Sequence, residues 1–120
     1  MSFNEIAERV VGEGIVGVGF LLDPQGNTYW SVGEWPGFDP MAVIAAWQRG
    51  DNSIVVNDIK FSVINKGDDK YVLTNIQGQG HIIVAKCMFW DGFVVAWTPA
   101  SFQSMVAYAE IARMANAVRP

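Results

Sequence analysis

Between Asp51 and Thr98, short runs rich in β-branched and aromatic residues are separated by only a few residues each. The runs are Ser53–Val56, Ile59–Asn65, Tyr71–Gln77, His81–Cys87 and Phe93–Trp97. Asn57-Asp58, Lys66-Gly67-Asp68-Asp69, Gly78-Gln79-Gly80 and Trp90-Asp91-Gly92 supply the turns. A parallel crossover needs about a dozen residues, so neighbours joined this tightly must be antiparallel. HIIVAKC and FVVAW are apolar at nearly every position, which implies a sheet covered on both faces.

The rest of the chain supplies that cover. Phe3, Ile6, Ala7, Val10 and Val11 recur at helical spacing after a cap at Ser2 or Asn4, and Gly12 and Gly14 stop the helix. Ile15–Leu22 and Thr28–Val32 form a hairpin around the turn Asp23-Pro24-Gln25-Gly26-Asn27. Asp39, Pro40 and Gly50 punctuate a short helix over MAVIAAWQR. Thr98 as cap and Pro99 as first residue open a last helix running to about Ala117. The expected fold is α+β: a single domain over residues 1–120, with an antiparallel sheet of about seven strands. The terminal helices lie on one face and the short helix on the other.

Gly12, Gly14 and Gly17 spell G-x-G-x-x-G, the letters of a dinucleotide-binding loop. That loop needs a strand before it and a helix after it, and here the order is reversed. The glycines are therefore expected to serve packing. Gly17 and Gly19 would share one strand face against which a terminal helix lies.

Chemistry is sparse. Cys87 and His81 sit in one predicted strand, roughly 20 Å apart at about 3.3 Å per residue, too far for a nucleophile–base pair. One cysteine and one histidine make no soft-ligand metal site and no internal disulfide. Cys87 reads as a small buried hydrophobe, and His81 as a rim residue after a turn. The carboxylates fall mostly in turns, and no nucleophile elbow accompanies Ser31, Ser62 or Ser101. No catalytic residue, metal or cofactor is expected, and the reading is of a protein that is not an enzyme.

Lys plus Arg number 8 against 12 Asp plus Glu, a net charge of −4. Scattered basic residues disfavour nucleic acid and anionic membrane surfaces as partners. MSFNEIAERVV lacks a basic start and apolar core, so it does not read as a signal peptide, and a cytoplasmic protein is expected. Five tryptophans in 120 residues are the more informative excess. Trp35 in the loop EWPGF and Trp90 in a turn are each either a plug on the core or an exposed anchor for a partner.

Taken in order, these segments resemble the profilins, the small proteins that bind monomeric actin. The opening MSF is similar to the family's MSW start, and GFLLDPQGNTYWSV resembles its first hairpin, leading to Trp30. EWPGFDP resembles the loop before its second helix. SIVVNDIKFSVINKGDDKYVL matches its strand, tight turn and Lys-aromatic strand, and GHIIVAK and FVVAWTP resemble its late strands. The likeness runs over nearly the whole chain and implies a monomer that binds monomeric actin and regulates filament assembly, associated with the cytoskeleton.

By position, the resemblance implies an actin-binding set of Lys60, Asn75, Gln77, His81, Lys86, Ser101, Phe102 and Met105. It also implies a groove for proline-rich segments at Phe3, Ile6, Trp30 and Tyr108. That groove departs from the family: Phe3 replaces Trp, Ile6 replaces an aromatic, and the last helix lacks a full aromatic set. The segment from Gly50 to Ser53 has no room for the extra helix of many profilins, and so few basic residues disfavour phosphoinositides. The chain resembles a divergent, minimal profilin of the kind expected in an archaeon with eukaryote-like cytoskeletal proteins. Two other readings stay open at this point. One is a roadblock or longin-like dimeric scaffold for small GTPases, and the other a PAS-like ligand sensor with an internal pocket.

Overall fold

The computed structural model describes residues 2–119. Helix α1 (Phe3–Gly12) starts at a capping box: Ser2 Oγ accepts from the Glu5 amide, and the Glu5 carboxylate accepts from the Ser2 amide. The amides of Ile15 and Val16 then both reach back to the Val10 carbonyl, so these buried residues belong to the turn out of the helix. Strand β1 (Val18–Leu22) therefore begins later than the apolar run from Ile15 suggests.

Strand β2 (Thr28–Val32) returns from a turn built on Asp23. Its carboxylate accepts from the amides of Gln25 and Asn27, from Asn27 Nδ2 and from the Tyr29 hydroxyl, each at 3.0 Å. Helix α2 (Pro40–Arg49) has Asp39 as N-cap, Pro40 in its first turn and Gly50 in the left-handed conformation at its end. All three were expected from sequence.

Strands β3 (Ser53–Val56), β4 (Ile59–Lys66), β5 (Lys70–Thr74), β6 (His81–Lys86) and β7 (Phe93–Thr98) follow. They complete a seven-stranded antiparallel sheet of order β2-β1-β7-β6-β5-β4-β3. Thr98 is not a helix cap. It is the last ladder residue of β7, opposite His81, and helix α3 (Ser104–Asn116) starts later with Gln103 as N-cap. A ladder partner held Thr98 in the strand, and the residues from Pro99 to Gln103 form a separate turn.

The sheet divides two cores, as its apolar runs require. On one face Ile83, Ala85, Val94 and Ala96 pack with Ile6, Val10, Ile111 and Met114 of the terminal helices. On the other, Ile82, Val84 and Val95 pack with Val43, Ile44 and Ala46 of α2. Fully burying each valine, isoleucine or methionine among them is worth about 1.5–3 kcal/mol.

The glycine expectation needs correction. A Cβ on Gly17 would lie 2.7 Å from the Trp97 ring, and one on Gly19 would lie 3.0 Å from the Trp30 ring and from Val16 Cγ1. Trp97 packs with the α2-side core and Trp30 with the terminal-helix core, so the two glycines do not share a face. Indoles from neighbouring strands fill the low spots, where a helix was expected. The packing role itself holds.

Candidate functional site

Directly paired residues of antiparallel neighbours point to the same face. On the terminal-helix face, register aligns Ser53, Ser62, Thr74, His81 and Thr98 across β3 to β7. The next pair outward is Val55 with Lys60. Helix α3 packs chiefly on β6, β7 and β5, and this half of the face, at β3 and β4, is left open.

Exposed apolar side chains stand on the elements that border that opening. Val55 is 64% exposed, Ile64 50%, Ile76 89% and Val106 60%. Ile64 falls at a register shift between Val63 and Asn65, which interrupts the strand's alternation. Asn65 Nδ2 lies 3.9 Å from Met105 Sδ, which ties β4 to the first turn of α3. Lys60 and Gln77 are exposed, as is Ser101, while Phe102 and Met105 are half-buried.

Two expected contact residues are buried and hydrogen-bonded inside the fold. Asn75 is buried: its Nδ2 donates to the Lys60 carbonyl at 2.9 Å, and its Oδ1 accepts from the Gln77 and Gln79 amides. This closes the turn after β5 and lifts Ile76 to its tip. His81 is buried as well, so it is not a rim residue. Its Nε2 lies 2.8 Å from the Phe102 carbonyl, and its Nδ1 lies 2.9 Å from Thr74 Oγ1. A carbonyl can only accept, so Nε2 donates to it, and in the neutral imidazole Nδ1 then accepts from the threonine. His81 thereby pins the turn before α3 onto the sheet.

Lys86 does not join the set. It pairs with Phe93 in register, lies over that ring at 5.2 Å and meets Asp91 at 3.5 Å, all on the α2 face. Sequence reasoning missed Val55, Ile64, Ile76 and Val106. Alternation within SIVV would have revealed Val55, because Ile54 and Val56 face the α2-side core.

The expected groove for proline-rich segments is also redistributed. Phe3 and Trp30 meet edge to face at 5.4 Å and line a cleft of about 510 Å³ with Tyr29 and with Ala117 to Arg119, which follow α3. Ile6 is buried in the core. Tyr108 lies away from this cleft with Lys70 Nζ over its ring at 5.4 Å, and burial raises its phenol pKa.

Trp90 packs edge to face on Tyr29, and Trp35 stacks on Phe38 at 5.4 Å, so both are half-buried plugs. Cys87 is buried, and burial pushes its thiol up to about 11, in keeping with a small hydrophobe. Among the described residues no group of three His, Cys, Asp or Glu could hold a metal ion, and no helix is long and apolar enough to cross a membrane.

No protein-family model matches the chain. Heimdall profilin of Heimdallarchaeota archaeon (strain LC_2) is 39% identical over 120 residues, covering 99% of each protein. The chain belongs to the profilin family. Odin profilin of Odinarchaeota yellowstonii (strain LCB_4) is 25% identical over 116 residues, 97% of this chain and 95% of the relative. Among solved structures, the profilin of a LokiProfilin2/Rabbit Actin Complex aligns with TM-score 0.76 at 16% identity, covering 96% of this chain and 95% of that one. Acanthamoeba castellanii profilin IA aligns with TM-score 0.68 at 16% identity, covering 94% and 92%. Membership of this family, with the seven-stranded sheet observed, sets aside the roadblock or longin-like and PAS-like readings.

Proposed function

We propose that this profilin-family chain binds monomeric actin and regulates filament assembly. The open sheet face beside the first turn of α3 is its binding surface. The observation that carries the reading is that Val55 on β3, Ile64 on β4, Ile76 in the turn after β5 and Val106 in the first turn of α3 are all exposed apolar side chains, on the elements bordering the part of the sheet that the terminal helices leave uncovered. Two solved profilin–rabbit actin complexes share this fold, which supports the choice of partner. A specific interface buries about 800 Å² per partner, an area that strands β3 to β5 and the α3 start can supply.

Lys60, Gln77, Ser101, Phe102 and Met105 form the contact set with these apolar side chains. Asn75 and His81 act from beneath it, and Lys86 lies outside it. The protein acts by binding, without catalysis, as a monomer in the cytoplasm. Calorimetry with monomeric actin should give a one-to-one complex, and added protein should slow spontaneous filament nucleation. No heat of binding and an unchanged nucleation rate would remove the reading.

A second role is proposed for the Phe3–Trp30 cleft, whose edge-to-face pair and exposed Tyr29 suit a proline-rich segment. A proline decamer that leaves tryptophan emission unchanged at millimolar concentration would end this second role.

A further inference from the structure

A smaller cleft, of about 290 Å³, opens on the α2 side of the sheet between Val18, Glu34, Trp35, Ile59, Gln79 and Trp97. We propose that it is a binding site for a quaternary ammonium group.

The walls are two indoles whose centroids lie 6.1 Å apart with their planes at 68°, so they form a corner. Aromatic faces attract cations through the ring quadrupole, and tryptophan does so best. Among the described residues, the only charged side chain lining the cleft is Glu34. It is exposed and makes no ion pair among the described residues. The cleft therefore offers a negative charge and two indole walls, with no basic group among its lining residues to oppose a cation.

The form of the cation follows from the remaining lining. A bare ammonium carries three donors that each need an acceptor. The side chains of Val18, Ile59, Trp35 and Trp97 offer none, so among the lining side chains only Glu34 and Gln79 can accept. A methylated ammonium has no such demand and presents an apolar shell to these walls.

The corner is also held in place before any ligand arrives. A Cβ on Gly80 would lie 2.5 Å from Trp97 Nε1, and one on Gly17 would lie 2.7 Å from the same ring. Both backbones thus approach the indole too closely for any other residue. Trp35 is fixed by its parallel stack on Phe38 and by the Phe61 ring at 6.1 Å. Rigid walls lower the entropic cost of binding. The proposed actin surface lies on the other face of the sheet, so the two readings stand or fall separately.

Choline tests the site, with 3,3-dimethyl-1-butanol as its uncharged isostere, read from the assigned indole N–H signals in NMR spectra. Choline should move the Trp35 and Trp97 signals selectively, with an affinity in the millimolar range. The isostere should bind at least about fivefold more weakly, and Glu34→Gln, an exposed loop change that keeps the thermal melt, should weaken choline to a similar degree. A short peptide carrying trimethyllysine separates two sources of the group. Tighter binding than choline assigns a modified lysine of a protein partner, and equal binding assigns a free cation. Signals that do not move at tens of millimolar choline, an isostere that binds as well, or a Glu34→Gln variant that binds unchanged would each overturn the proposal.

Discussion

Single residues here earn their positions by closing turns. Asp23 accepts four hydrogen bonds, which lower its carboxyl pKa, the Asn27 side chain contributing most. A depressed folded-state pKa means stability that is present above the unfolded value, near about 4, and is lost as pH falls toward the folded one. Thermal melts of wild type and Asp23→Asn should therefore differ most at neutral pH and converge below about pH 4. A gap that stays constant across that range would refute the role given to the carboxylate. His81 closes a different turn. His81→Ala leaves the Phe102 carbonyl and Thr74 without their partner, which should cost about 1–3 kcal/mol in urea denaturation. It should also weaken actin binding, since the Phe102 turn borders the proposed surface.

At the scale of elements, the two helical layers have separable duties. Asp39 caps α2 through the Met41 amide at 3.0 Å, on the face away from the proposed surface. Asp39→Ala should lower stability by about 1 kcal/mol while actin affinity stays unchanged, as parallel melts and calorimetry would show. Much of this layout is legible in the sequence, because it rests on local chemistry. Asp39-Pro40 and Gly50 fix α2, and tight turns fix the pairing from β3 to β7. What the sequence hides is competition between local and tertiary demands. Thr98-Pro99 has the letters of a helix start, yet Thr98 is held by the ladder opposite His81. The face of Lys86 was available from strand geometry: five residues from His81, an odd offset, it must point the other way. Positional likeness to a family does not carry that parity. The burial of Asn75 and His81 was not legible, since polar side chains after a turn look alike whether they face solvent or fold inward.

Across the whole molecule, the sheet separates the three surfaces to which roles are proposed here. The exposed apolar side chains and the Phe3–Trp30 cleft share the terminal-helix face, and the Trp35–Trp97 corner lies behind them. The terminal helices are joined to each other by the Arg9–Glu110 ion pair and to the sheet by their buried apolar stripes, which leaves β3 and β4 uncovered. That uncovered area is what gives the proposed binding surface its size. Its contribution can be measured by the affinity for monomeric actin of a double variant, Ile76→Asp with Val106→Asp. Both side chains are already largely in water, so the thermal melt should stay within a few degrees of wild type. Two charges placed at the centre of an apolar interface should cost at least about 3 kcal/mol, more than a hundredfold in affinity. A double variant that binds actin as wild type does would contradict the surface assigned here.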